Sequence, residues 1–346
     1  MTRAVGGAPA RVPQAPSPAA ILELLAGRWV CGAVAAAARL GVADALASGA
    51  RSSDELAVAL CAHAPSLHRL LRALASLGLL QTLADGRFAL TSLGEYLRSD
   101  VPGSMLPLAQ IFALEEHGTS WTTLAYSVAS GESAFEHLYG RPLWDYLDGD
   151  AELNRTFSDA MTALMWSAAP QIAEHLALDE GCTVADVGGA AGTVLAAILE
   201  RHPHVRGILY DRPASIEAAR RTAPAIVLER AQLVAGDFMR SVPAADVLVL
   251  SHVLHDWSDA DAGMLLANCR RALAPHGRLV VWECVIEPGD APDFGKLMDL
   301  EMLVLTSGRE RTRAEFARLF ARAGLELVSV TPLAGGALLQ GRSCRR

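Results

Sequence analysis

The 346-residue chain is 51% hydrophobic and 20% charged, with a net charge of −8, the balance of a globular enzyme of about two domains. Such acidity leaves no cationic footprint for a nucleic-acid partner. Six cysteines without a C-x-x-C pair or regular spacing argue against a disulfide framework or a zinc site, so no metal is expected and a reducing, cytoplasmic setting fits best.

In chain order, residues 1–17 are rich in Pro, Ala and Gly, lack a signal-peptide core and are expected to form a disordered tail. The apolar stretch that follows is interrupted by Glu23, Arg28 and Arg39, so it reads as a helix of a soluble domain and no membrane is expected. From Ile21 to about Leu97 the pattern is helical and amphipathic. "SSDELAVAL" opens on a capping serine, "SLHRLLRALASLGLL" spaces its leucines by three and four, and "QTLADGRFALT" places Asp85-Gly86 between two short strands. Helix, turn, helix and hairpin over residues 18–105 predict a winged-helix-like domain. A winged helix raises a DNA-binding regulator as an alternative, but residues 51–100 balance five Arg against five acids, which favours packing or dimerisation. Residues 106–180 are read as a helical linker and substrate-pocket region.

From residue 181 to 346 short apolar runs alternate with helical ones: "TVADV", "GILYD", "QLVAGD", "DVLVLS", "RLVVWECVI" and "LELVSVTPL". That alternation predicts a Rossmann-like α/β domain with a parallel sheet covered on both faces, its ligand beyond the carboxyl ends of the strands. "DVGGAAG" follows the first strand with Asp186, Gly188, Gly189 and Gly192, but it fails the dinucleotide fingerprint because Val187 or Ala190 stands where glycine is needed. Asp211 ends the second strand, placed to accept from ribose hydroxyls. Asp237 ends the third, placed to accept from an adenine amino group while Phe238 packs on the ring. A single acid at such a place is often only a helix cap. Three at consecutive strand ends point to a nucleoside ligand without a pyrophosphate. In "DVLVLSHVLHDWSDAD" the H-x-x-H spacing starts in a strand rather than on one helical face, and a metal would need further ligands.

"DVGGAAG", "YDRP", "GDF", "SHVLHDW", "DLEML" and "GRERTRAEFARLFARAGLELVSV", in this order, resemble the S-adenosylmethionine-dependent small-molecule O-methyltransferases that act on plant phenolics and bacterial aromatic natural products. The resemblance covers nearly the whole chain after the tail. It implies a homodimer built through the N-terminal domain, S-adenosylmethionine as cofactor and a small aromatic substrate. Residue by residue, Asp186 and Gly188 would lie at the cofactor, Asp211 on its ribose, Asp237 and Phe238 on its adenine, and Ser251 beside it. Ala190 departs from the family's usual glycine. His255 matches the family's general base, Glu310 the glutamate that orients it, and Glu283 a second flanking acid. His252 falls at a variable position, within the strand-to-loop transition. Phe157, Met161, Met165 and Met302 match acceptor-pocket positions. A phenol with a pKa near 10 needs such a base at neutral pH. Members of this fold that keep the cofactor but perform hydroxylation, decarboxylation or pericyclic chemistry supply the second alternative.

Overall fold

Serine, proline and glycine punctuate the start of the chain. In the computed structural model, which describes residues 17–344, Ser17 caps a helix over Pro18–Leu40, and Gly41 closes it in the left-handed conformation. Of the expected tail, all but Ser17 lies outside the described residues. Helices Val42–Leu46, Ser53–Ala59 and Ala64–Ser76 follow, the second of them opened by a reciprocal cap in which Ser52 and Glu55 satisfy each other's backbone N–H. Strands β1 (Leu80–Thr82) and β2 (Phe88–Leu90) pair antiparallel across the Asp85-Gly86 turn. Leu46, Leu56, Leu67, Leu71, Leu74, Leu80 and Phe88 bury against one another as the core. Residues 17–119, joined by 152–164, form one compact unit.

The second unit comprises residues 120–151 and 165–344. Its strands are β3 (Thr183–Val187), β4 (Arg206–Asp211), β5 (Ala231–Ala235), β6 (Ala245–Ser251), β7 (Leu273–Glu283), the short pair β8 (Val285–Ile286) and β9 (Arg311–Thr312), then β10 (Leu325–Leu333) and β11 (Gly336–Ser343). A seven-stranded sheet runs β10-β11-β7-β6-β3-β4-β5. Alternate residues face opposite sides: Val247 and Val249 join the cluster of Ile172, Leu195 and Ile198, while Leu248 and Leu250 join that of Leu265, Phe316 and Phe320.

The sheet is not wholly parallel, contrary to the expectation. β5, β4, β3, β6 and β7 run parallel, but β11 pairs antiparallel with both β7 and β10. The turn at Ala334 and Gly335 is too short for a crossover, so β10 and β11 must form a hairpin. "RLVVWECVI", expected as one strand, breaks after Glu283, and its last residues pair in β8 with β9. β3 lies between β4 and β6, so the connections after β3 and β6 leave in opposite directions and open a crevice at their carboxyl ends.

Candidate active site

At the end of β3 the chain must turn sharply into the helix Thr193–Arg201, and Gly188 and Gly192 do so at φ 74° and 79°. A side chain on Gly188 would be strained and would come within 2.9 Å of Val253, so its backbone stays bare towards Phe238 and Val253. Ala190 also takes a left-handed conformation, φ 47°, and its N–H donates to Asp211 Oδ2 at 2.8 Å. Asp211 Oδ1 accepts from the Arg212 N–H at 2.6 Å. The Ser215 side chain also hydrogen-bonds this carboxylate, whose two oxygens offer about four acceptor sites in all. Burial pushes the Asp211 carboxyl upward, opposed by these hydrogen bonds.

Asp186 sits differently from Asp211. It lies inside β3, paired with Leu209, fully buried beneath the glycine turn, where neither carboxylate oxygen has a hydrogen-bond partner. Burial raises its pKa to about 7. Asp237 is exposed, and its Oδ1 accepts from the Met239 N–H at 2.9 Å, a local cap. Phe238 is half-buried and meets Trp257 edge to face, ring centroids 5.8 Å apart. Ser251 closes β6 with a buried hydroxyl that has no partner.

Beyond β6, His252 takes φ 51°, and the chain winds into a tight turn, Leu254–Asp256, that carries His255. Glu283, wholly buried at the end of β7, ties this turn down: its Oε1 accepts from the N–H groups of Val253 at 3.1 Å and Leu254 at 2.7 Å. His255 Nδ1 lies 2.7 Å from Glu310 Oε1, and both side chains are buried. Glu310 is thus a buried partner of the imidazole, 1% exposed. Its own N–H donates to Asp299 Oδ1 at 2.8 Å. Asp256 Oδ1 stands 3.7 Å from His255 Nε2. Burial favours the neutral form of His255, but the charges of Glu283, Asp256 and Glu310 outweigh it and raise the ring's pKa to about 10. Burial in turn lifts Asp256 and Glu283 to about 7. For His252, burial and the neighbouring His255 act together and depress the pKa to about 3, so this ring is neutral.

Three residues with large roles here carried no signal in the sequence reading. Arg311, wholly buried, donates to Asp259 Oδ1 and to the carbonyls of Leu254, Trp257 and Arg309, clamping the histidine turn to β9. Gly308 passes so close that a Cβ there would stand 2.0 Å from the His255 carbonyl, which accepts from the Arg309 N–H at 2.7 Å. Arg212 reaches Asp148 Oδ2 at 2.6 Å and the Trp144 carbonyl at 3.1 Å, holding the helix Leu143–Asp148 beside Asp211. A buried arginine can be recognised only once its ring of acceptors has been assembled.

The pocket candidates divide between the units. Met165 and Met302 are buried in the unit that carries His255, Met302 on the helix Phe294–Leu305. Phe157 and Met161 are half-buried in the other, on the helix Ala151–Met165. The arrangement as a whole offers a buried imidazole fixed at Nδ1, beside a crevice lined by a bare glycine backbone, a carboxylate and an aromatic ring. Those features suit a nucleoside cofactor and a proton-donating acceptor.

Comparison with known proteins bears on the same elements. A profile described as O-methyltransferase domain matches residues 121–326, and one described as O-methyltransferase dimerisation domain matches residues 22–100. The chain is 41% identical to a phenazine O-methyltransferase of Lysobacter antibioticus, covering 91% of this chain and 93% of that protein. It is 36% identical to an 8-amino-8-demethylriboflavin N,N-dimethyltransferase of Streptomyces davaonensis, covering 86% and 87%. The S-adenosylhomocysteine-bound crystal structure of CalO1, a methyltransferase of calicheamicin biosynthesis, superposes with a TM-score of 0.82 at 36% identity, covering 94% of this chain and 98% of that one.

Proposed function

The chain belongs to the S-adenosylmethionine-dependent O-methyltransferases, and from that premise we propose that it methylates a phenolic hydroxyl of an aromatic secondary metabolite, with His255 as general base and Glu310 as its orienter. One observation carries this reading: His255 Nδ1 is engaged by Glu310 at 2.7 Å in a buried setting, which leaves Nε2 as the ring nitrogen for the acceptor. The bound cofactor supplies an electrophilic methyl group on a sulfonium. Asp211 would hold its ribose and Phe238 its adenine, with the Gly188 backbone and Ser251 beside it. Asp237 would reach the adenine by leaving its cap on Met239, while Asp186 would act from beneath, by supporting the glycine turn.

A phenol held against His255 Nε2 gives up its proton as the oxygen attacks in line. Glu310 keeps the ring in the tautomer with Nδ1–H and balances the imidazolium that forms, the task of the third member of a hydrolase triad. Alignment is the larger contribution, and base assistance adds roughly 10²- to 10⁴-fold. Met165 and Met302, buried in the unit that carries His255, are its pocket candidates, because thioethers adapt to flat rings.

The relative named for N-methylation suggests an amine acceptor as a second reading. An aromatic amine attacks through a lone pair it already has and needs no base beforehand, so the buried His255–Glu310 pair favours a hydroxyl. Product mass decides between methylation and the non-methylating chemistries of this fold. On a neutral phenol His255→Ala is expected to lower kcat by about 10²-fold or more, and on a strongly acidic phenol, ionised before it binds, by far less. An equal loss on both acceptors would remove His255 from the role of base.

The assembly is inferred to be a homodimer. Ile21, Leu25 and Trp29, spaced by four on the first helix, are exposed, Trp29 by 69%. By length and composition this helix could also cross a membrane. Its place in the segment that matches the dimerisation profile favours a second copy as the cover.

A further inference from the structure

Glu283 has a use for only one of its two oxygens in holding the histidine turn. Oε1 takes both backbone N–H groups, while Oε2, on a side chain with no solvent exposure, has no hydrogen-bond partner. It points between two imidazoles. Oε2 lies 3.8 Å from His252 Nδ1 and 3.5 Å from His255 Nδ1, and the three residues each bring one donor atom within 4.8 Å of the others. His252 Nδ1 is also buried without a partner, and the two rings lean together at 4.9 Å between centroids, 32° from parallel. Two orphaned polar atoms aimed at one point are costly unless something can fill the point between them. Zinc bonds of roughly 2.0–2.2 Å at tetrahedral angles separate their ligand atoms by roughly 3.3–3.6 Å, close to these spacings. Glu310 Oε2, likewise buried and unpartnered, stands on the carboxylate next to His255 Nδ1 and offers a fourth oxygen.

From this geometry we propose that His252 Nδ1, His255 Nδ1 and Glu283 Oε2 form an inhibitory site for a zinc-class divalent ion. The site consists of two imidazoles and one or two carboxylates, a donor set that balances the charge of a dication. The inhibition follows from the tautomer and rests on the reading of His255 as base. In the working ring the single proton is on Nδ1, donated to Glu310, and Nε2 has the lone pair. On binding, the Nδ1–H bond breaks and Nδ1 turns its lone pair from Glu310 to the metal; the neutral ring's one proton then moves to Nε2, while from the doubly protonated ring the Nδ1 proton passes to solvent. Either way the metal-bound ring is neutral with its proton on Nε2, which can no longer accept one from the phenol. His252, which takes no part in the transfer itself, thus gives the metal its third ligand and its partial opening to solvent.

The test uses the full-length enzyme with S-adenosylmethionine and a neutral phenol, and the probes are Zn²⁺ and Co²⁺. Equilibrium dialysis should find one tightly held Zn²⁺ per chain, and Co²⁺ should give a ligand-field spectrum without a thiolate charge-transfer band. The ratio of rates with and without Zn²⁺ should show inhibition that weakens at least ~10-fold in His252→Ala. His252→Asn replaces it should the alanine protein fail to fold, and His252→Asp, which restores an oxygen donor, should recover part of the metal affinity. Unchanged zinc content or unchanged inhibition in His252→Ala would overturn the site. So would a thiolate band, which would place a cysteine among the ligands. Zinc bound through His252 without loss of methylation would keep the site and overturn His255 as base.

Discussion

His255 is set apart from the other histidines by its surroundings rather than by its neighbours in sequence. Three neighbouring acids, Glu283, Asp256 and Glu310, raise its pKa to about 10, so at neutral pH the ring holds its proton in the absence of an acceptor. The sign follows directly: Nε2 becomes free to accept as pH rises, and kcat/KM on a neutral phenol should climb from about pH 7 towards 10. Glu283→Gln removes one of those charges and keeps an oxygen for the Val253 and Leu254 N–H groups, so its limb should move to lower pH. A profile that does not move in this variant would contradict the electrostatic account. Ala190 is the other residue whose backbone matters. At φ 47° an alanine costs roughly 1–2 kcal/mol, and glycine, though it loses more entropy on folding, escapes that strain. Ala190→Gly should therefore stabilise the protein by about 0.5–1 kcal/mol in a denaturant titration. The N–H that reaches Asp211 would be retained, so cofactor affinity should hold.

At the scale of elements, the histidine turn and the Gly308–Arg311 segment act as one piece. Arg311 bridges them by hydrogen bonds, Glu310 meets His255 across them, and the bare Gly308 backbone sits against the His255 carbonyl. Gly308→Ala must push the two apart, because both contacting atoms belong to backbone. Overpacking of this kind costs typically 1–3 kcal/mol, and a displacement of the base costs about 10²-fold in rate. Kinetics with neutral and acidic phenols should show the loss concentrated on the neutral one. If both acceptors suffer alike, the displacement has reached the cofactor side as well. The same packing explains an uneven legibility. "SHVLHDW" and "GRERT" marked His255 and Glu310, since their residue types in order carry a resemblance. Arg311 and Gly308 lay inside the same stretches unnoticed, because what they do depends on carbonyls supplied by residues 50 positions away or more.

For the whole molecule, the parallel strands were legible because continuous apolar runs separated by helices admit few other arrangements. β11 was not, because "GALLQGRS" holds two glycines and ends polar, and only its partners β7 and β10 make it a strand. Assembly is decided at this scale too. If Leu25 and Trp29 lie in a homodimer interface, replacing both with glutamate should yield a monomer by sedimentation velocity, whereas a persisting dimer would locate the interface elsewhere.

Hydrophobic period and turn chemistry act over short stretches, so the α/β class and a ligand beyond the carboxyl ends of the strands could be read from the chain alone. That Asp186 lies under the glycine turn, that Glu310 is buried, and that Glu283 stands between His252 and His255 emerge only from the assembled fold. Those facts depend on which strand ends converge, and the burial and charge produced by that convergence belong to no single segment of the chain.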